Sequence, residues 1–352
     1  MLLYIHIPFC DSKCFYCAFN SYTSLHHLKK EYIKSLLIQL QSELTKYNPI
    51  IETIFIGGGT PSCINSSEYQ KILDTVKPYI KSDIEITIEA NPNSATIKWQ
   101  QEIYDIGINR ISFGVQSFND EKLKFLGRNH NKTQAIEAVQ NAKQVGFKHI
   151  NLDIIYDTAL DTKELLDNDL CIIKTLPIDH ISAYSLTLEE GTKFFNKSSV
   201  KVEDEELAKY FFDKLNILGL TQYEISNFAK NSEARSKHNL GYWQYKEYLG
   251  IGCGAVGCAE SKRYYGIKDI QSYIDTPLEY EEIEILTTND TLLEKVLLGF
   301  RSIVGVDYNI FDNQQKEKIN ILVDEQKLTL EHNIIYNNNY MLADELALYL
   351  DI

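Results

Sequence analysis

Three cysteines, Cys10, Cys14 and Cys17, fall within eight residues of a 352-residue chain. A Cys-x3-Cys-x2-Cys loop presents three thiolates that can hold three irons of a cubane cluster, leaving the fourth iron open to an outside ligand. Tetrahedral zinc is the competing reading, and it needs a fourth ligand nearby. His6 is near in sequence but stands inside an alternating run that reads as a strand. The total of seven cysteines is odd, and such crowding in a long chain points to metal ligation in a reducing compartment rather than to a disulfide framework. Cys63, Cys171, Cys253 and Cys258 are expected as buried thiols.

The elements that must position this loop follow from periodicity. Short β-branched or aromatic runs at 2–7, 53–56, 84–90, 110–115, 149–155 and 180–186 alternate with helical patterns at 28–47, 68–76, 96–106, 133–145, 164–176 and 205–218. Six βα units in series specify a parallel sheet with helices outside, and right-handed crossovers curl it into a barrel or part-barrel. The stretch 222–265, rich in Tyr, Asn and Gly, breaks that rhythm and reads as a lid or linker. Beyond Pro277, helices at 292–300 and 314–325 and a hairpin at 328–342 around Asn337, Asn338 and Asn339 predict a small α+β unit of winged-helix type. The expected organisation is therefore a barrel unit over 1–221, a linker or lid over 222–276 and a C-terminal unit over 277–352.

Composition narrows the function classes. Hydrophobic residues at 44% and charged residues at 24% match a folded globular chain. A formal charge of -14 opposes attraction to a phosphate backbone, so nucleic acid is not an expected partner. Residues 281–352 carry 14 acidic against 5 basic side chains, so most of the excess belongs to the last fifth. The first nine residues lack the basic region and cleavage site of a secretory signal, and no apolar run spans a bilayer; a cytoplasmic location is expected.

The cysteine spacing, embedded in Tyr4-Ile5-His6-Ile7-Pro8-Phe9-Cys10, resembles the HemN/HemW-like branch of the radical S-adenosylmethionine superfamily. Further matching strings follow in order: Ile56-Gly57-Gly58-Gly59-Thr60-Pro61, Ile88-Glu89-Ala90-Asn91-Pro92, Arg110 to Phe118, and Asn151-Leu152-Asp153-Ile154-Ile155-Tyr156. They fall at or near the carboxyl ends of the expected strands and would converge on one mouth. The resemblance implies a [4Fe-4S] cluster on Cys10, Cys14 and Cys17, with S-adenosylmethionine beside it. Tyr4 then packs near the methionyl end of that cofactor, Gly58, Gly59 and Thr60 approach its amino group and carboxylate, and Arg128 neutralises the carboxylate. Glu89 and Asp153 face a ribose or amino group, Gln116 donates and accepts, and Tyr16 and Thr187 line the adenosine. The implied chemistry is one-electron cleavage of a carbon-sulfur bond, for which the protein supplies positioning and exclusion of solvent.

Within that branch, the oxygen-independent coproporphyrinogen III dehydrogenases carry a fourth cysteine two residues after the third and a long N-terminal arm. Here that position is Phe19, and only nine residues precede Cys10. Both departures resemble the haem-chaperone members, as does His238-Asn239-Leu240-Gly241-Tyr242-Trp243, which matches their haem-associated His-Asn-x-x-Tyr-Trp string. An imidazole can ligate haem iron while aromatic rings cover the macrocycle, so His238 is the expected iron ligand. The resemblance implies haem, haem-acceptor proteins and an electron donor such as a flavodoxin or ferredoxin as partners, and leaves peripheral membrane contact and a homodimer open. The alternative is the decarboxylating dehydrogenase itself. Gly252-Cys253-Gly254-Ala255-Val256-Gly257 fits a dinucleotide fingerprint in letters only, because no βαβ unit surrounds it; Ala255 and Val256 are expected near the adenosine instead.

Overall fold

The computed structural model describes all 352 residues. Strands β1 (Leu2–Ile7), β2 (Ile51–Gly58), β3 (Ile80–Ala90), β4 (Arg110–Gln116), β5 (His149–Tyr156) and β6 (His180–Ser185) pair in that order, each parallel to the next. Helices α1 (Lys29–Tyr47), α2 (Ser66–Val76), α3 (Ile97–Asp105), α4 (Asp120–Leu126), α5 (Lys132–Val145), α6 (Lys163–Ile173) and α7 (Glu205–Ile217) alternate with them. The six expected βα units are all present. Strands β1, β4 and β5 are buried almost throughout because parallel strands covered by helices have no wet face.

The helices form where the pattern puts one apolar stripe on the sheet. In α1 the buried residues Tyr32, Ile33, Leu36, Leu40 and Leu44 recur at helical spacing. Truncating one of them, as in Leu40→Ala, costs about 2–5 kcal/mol in the usual range for such sites. Helix α5 starts at a capping box between Asn131 and Gln134 and stops at Gly146, whose φ of 119° suits a residue without a side chain.

The sheet does not stop at β1 or β6. Strands β7 (Thr221–Gln222) and β8 (Asn227–Ala229) continue it antiparallel beyond β6. On the other side β9 (Tyr248–Ile251) pairs parallel with β1, and β10 (Val256–Ala259), β11 (Lys262–Gly266) and β12 (Tyr280–Ile285) add antiparallel strands, giving twelve in an open array. The stretch expected as lid or linker thus runs along the sheet edges, together with α8 (Lys237–Trp243) and α9 (Ile270–Asp275). Gly252 and Gly254 take φ of 112° and 73° in the turn between β9 and β10, an antiparallel connection with no place for a dinucleotide fold.

The C-terminal residues form α10 (Thr288–Phe300), β13 (Val306–Asp307), α11 (Asn313–Asp324), β14 (Leu328–Glu331), β15 (Ile334–Asn337) and α12 (Ala343–Tyr349) around a separate small core that includes Val296, Phe300, Ile319 and Ile335. The β14–β15 hairpin turns at His332 and Asn333, with φ of 50° and 64°, and not at the Asn337–Asn339 run. A two-residue turn with both φ positive matches the twist of the strands. The asparagines serve elsewhere: Asn337 Nδ2 donates to the Phe300 carbonyl, and Asn339 accepts from the Met341 backbone.

Candidate active site

The cysteine loop has no regular structure of its own and is held by its ends and by neighbours. Cys10 N–H donates to the Tyr22 carbonyl and Tyr22 N–H to the Pro8 carbonyl, closing the loop onto the end of β1. Lys13 Nζ bridges the Phe19 carbonyl and Ser21 Oγ, and His26 Nε2 lies 3.1 Å from the Cys10 carbonyl oxygen. At the far side Phe15 N–H donates to the Leu126 carbonyl at the end of α4, and the Phe194 N–H donates to the Phe15 carbonyl. Gly127 follows α4 with φ of 75°, and a Cβ there would sit 2.6 Å from the Phe15 ring. This bare position lets the loop close on α4 and aims the next residue, Arg128, at the thiols.

Arg128 Nη1 lies 3.2 Å from Cys14 Sγ, while Nη2 donates to Asn91 Oδ1 and the Gly114 carbonyl, both at 2.6 Å. Thr60 Oγ1 is 3.4 Å from Cys10 Sγ and accepts from Asn91 Nδ2 at 3.0 Å. Asn91 thereby links the cysteine loop, the glycine string and the arginine. Burial pushes the Cys10 and Cys17 thiols up from their usual pKa. The three sulfurs line one cavity without forming a trio tight enough for a single metal ion.

That cavity, of about 520 Å³, opens at the carboxyl ends of the parallel strands. It gathers Cys10, Cys14, Cys17, Tyr16, Gly58, Gly59, Thr60, Glu89, Gln116, Arg128, Asp153 and Thr187, all singled out from the sequence. Tyr4 is not among them: it faces a neighbouring cavity, with its hydroxyl 2.9 Å from His6 Nδ1 and its ring stacked on Phe55. Gly58 and Gly59 are needed by the backbone itself. A Cβ at Gly58 would meet the His6 ring, and one at Gly59 would lie 2.7 Å from the Phe9 carbonyl. Gln116 ends β4 with φ of 69°, a left-handed conformation of the kind that concentrates at functional sites.

Glu89 and Asp153 face each other electrostatically. Burial first, and the Asp153 charge second, push Glu89 up to about 8, although Gly58 N–H donates to its Oε2 at 3.0 Å. Burial also pushes Asp153 up, to about 6, against hydrogen bonds from Asn151 and Ser112. Both carboxyls are thus held above the ordinary carboxylate range, Glu89 more than Asp153.

Below these groups the lumen stays polar. Arg110, Ser112, Asn151, His180 and Ser182 point inward where a closed barrel of this class is filled with aliphatic side chains. His180 Nδ1 lies 2.6 Å from Asn151 Oδ1 and its Nε2 2.8 Å from the Tyr223 hydroxyl. These residues and Asn91 went unassigned in the sequence, although alternation through Arg110, Ser112, Gly114 and Gln116 marked one polar face of β4.

His238 lies at the start of α8, 1% exposed. Its Nδ1 is 2.8 Å from Thr53 Oγ1, its Nε2 3.0 Å from the Tyr242 hydroxyl, and its backbone N–H donates to Glu85. Both ring nitrogens are engaged, and burial drops its pKa to about 3. Ala255 and Val256 line the second cavity with Tyr4, not the thiol-lined one. Among the remaining thiols Cys253 is buried, but Cys171 is exposed, being one position past the buried Leu170 on the outer side of α6.

Comparison with known proteins places these features in context. Residues 4–167 match the model of the Radical SAM superfamily. The chain is 33% identical over 350 residues to the "Heme chaperone HemW" of Bacillus subtilis (strain 168), covering 94% of this chain and 92% of that one. The corresponding protein of Haemophilus influenzae is 36% identical over 352 residues, covering 96% and 91%. Among solved structures, coproporphyrinogen III oxidase (HemN) from Escherichia coli superposes with a TM-score of 0.84 at 19% identity, covering 99% of this chain and 90% of the other. No helix is long and apolar enough to cross a membrane.

Proposed function

The chain belongs to the radical S-adenosylmethionine superfamily and, within it, to the HemW group, and we propose that it carries haem as cargo and delivers it to acceptor proteins. The observation that carries this reading is identity with heme chaperones along almost the whole length of both chains, joined to Phe19 where the dehydrogenases place cysteine. The residues fit the group's resident cofactors. Three thiols share a cavity with a buried guanidinium, a threonine hydroxyl and two carboxyls, and Arg128 Nε is buried there without a partner.

Cys10, Cys14 and Cys17 would hold a [4Fe-4S] cluster, which supplies one-electron chemistry at the sulfonium of S-adenosylmethionine. Arg128 and Thr60, each in contact with one of the thiols, would bind the methionyl carboxylate and amino group. Asp153 and Glu89 would hydrogen-bond polar groups of the same molecule. Gln116, Tyr16 and Thr187 complete the wall, and Tyr4 supports it from behind through Phe55. His238 can serve as an iron ligand once its Tyr242 partner swings away.

Anaerobic incubation of the reconstituted protein with S-adenosylmethionine, a reductant and coproporphyrinogen III tests the reading. The expected result is no conversion of the porphyrinogen, and a bound Soret band when haem is supplied in its place. Efficient protoporphyrinogen formation overturns the chaperone assignment in favour of the dehydrogenase.

A further inference from the structure

Residues 287–352 are tied to the rest of the chain at two places on α10. Midway along the helix, Glu294 accepts from the Tyr245 hydroxyl and from Arg263. Just past its end, two backbone bonds cross to the turn between β7 and β8: Ile225 N–H donates to the Arg301 carbonyl and Ile303 N–H to the Tyr223 carbonyl, both at 2.8 Å. They flank an antiparallel bridge between Glu224 and Ser302. No other backbone hydrogen bond joins the two parts.

This seam sets the position of a cavity wall. Leu297, Leu298 and Arg301, from the same end of α10, line the second cavity, of about 1140 Å³. Its lining also includes six aromatic rings, those of Tyr4, Phe19, Phe55, Tyr242, Tyr245 and Tyr248.

Glu224, in the middle of the seam, is 1% exposed. Its Oε2 accepts from the Ser226 N–H at 3.2 Å, and its Oε1 is buried with no partner. The Ser302 hydroxyl across the bridge is spent on the Leu298 carbonyl. Asn227, whose amide reaches the Glu224 carboxyl, has a buried Oδ1 that is also without a partner. A proton on Oε1 can be donated to that oxygen, which satisfies both atoms. Without it, a charge and an orphan acceptor stay buried together, at a cost. Burial pushes Glu224 up to about 7, against the bonds it accepts from Ser226 and Asn227.

The other titratable groups around the turn do not offset this charge. Tyr184 faces it from β6, Tyr223 from the turn itself and Tyr340 from beyond β15. Burial raises Tyr223 and Tyr340, so both stay neutral. The Arg235 guanidinium lies over the Tyr223 ring at 5.7 Å, and Arg301 is paired with Asp344.

We propose that Glu224 is a proton-operated latch: protonated, it holds the end of α10 against the β7–β8 turn, and ionised, it frees that end to pivot about Glu294 and widen the second cavity. The latch acts whatever that cavity takes, and so stands apart from the haem reading. The closed seam binds the proton more tightly than an exposed carboxyl does. Closure is therefore firmest below the ordinary value of 4.5 and is lost as pH rises through about 7.

Amide hydrogen exchange on the full-length protein, expressed as protection factors, reads the latch at Ile225 and Ile303, the two donors across the seam. From pH 6 to pH 8 wild type should lose about tenfold in protection at both, while Ile111, buried in β4, keeps its own. Glu224→Gln retains an uncharged donor beside Asn227 and should hold its protection over that range. The cavity is read by N-ethylmaleimide modification of Cys258, which lines it. The ratio of the wild-type rate to that of the variant should rise about tenfold from pH 6 to pH 8, thiol ionisation being common to both. Constant protection at Ile225 and Ile303 in wild type overturns the latch without need of the variant. An equal fall in Glu224→Gln overturns it too, by assigning the change to another group, and a constant Cys258 ratio overturns the widening of the cavity.

Discussion

The Phe15 ring lies against the bare α-carbon of Gly127, and through that contact the cysteine loop and the arginine that follows Gly127 are fixed to one another. A methyl group at Gly127 meets the ring at 2.6 Å and must also adopt a φ of 75°. Gly127→Ala is expected to cost about 1–2 kcal/mol from the backbone alone, and to displace Cys14 from Arg128. Iron and sulfide content after anaerobic reconstitution should fall below wild type, with partial recovery in Phe15→Ala/Gly127→Ala. Full cluster content in the single variant would refute this coupling.

Replacing Cys10, Cys14 or Cys17 by Ala should abolish the visible absorbance of the reconstituted cluster. Cys171→Ser, at the exposed thiol on α6, should leave it unchanged.

The carboxyl pair gives a signed pH dependence. Glu89 titrates near 8 in the folded chain against an ordinary value of 4.5, so the folded state holds the proton more tightly than the unfolded one. Its contribution is full below about pH 4.5 and is lost as pH rises through 8. Glu89→Gln keeps an acceptor for the Gly58 N–H and removes the titration. In the apo protein its melting temperature should equal that of wild type at pH 4.5 and exceed it by about 3–6 °C at pH 8. A constant difference across that range would assign the shift to other groups.

Tyr242→Phe removes the partner of His238 Nε2 while keeping the ring. If the imidazole is to bind iron, releasing that nitrogen helps, so the variant should bind haem about tenfold more tightly, with no change for metal-free protoporphyrin. Unaltered haem affinity eliminates His238 as a ligand. His238→Ala should instead lower thermal stability, by about 2–4 kcal/mol, because it strands the Thr53 and Tyr242 hydroxyls beside a new void.

The parallel strands were legible because burial on both faces writes each as an apolar run, and the residues at their carboxyl ends could be placed at one mouth without any tertiary knowledge. Helix α4 escaped notice because seven residues hold too few turns to show a period. Strands β9 to β11 escaped because each has only four or five residues, rich in Gly and Tyr, and is defined by its pairing with neighbours, β9 with β1 and β10 with β9 and β11, rather than by its own pattern. Thr60, Glu89 and Arg128 were visible as types in order, yet Asn91, which bonds both Thr60 and Arg128, has no signature beyond its place two residues after Glu89. The aromatic cavity was invisible for a different reason: its wall is drawn from β1, the cysteine loop, α8, β9 to β11 and α10, segments separated by hundreds of residues.

The twelve-stranded sheet never closes, and an open sheet offers its outermost backbone to any stray strand. One border, β7, is two residues long and has little to offer. The other, β12, is longer and partly apolar, with Ile283 and Ile285 exposed, but it alternates these with Glu282 and Glu284 and carries Glu281 as well. Two copies approaching through this border would bring like charges together before any hydrogen bond could form. The glutamates of β12 therefore act as a fence, opposing growth of a large sheet by one strand at a time into aggregates.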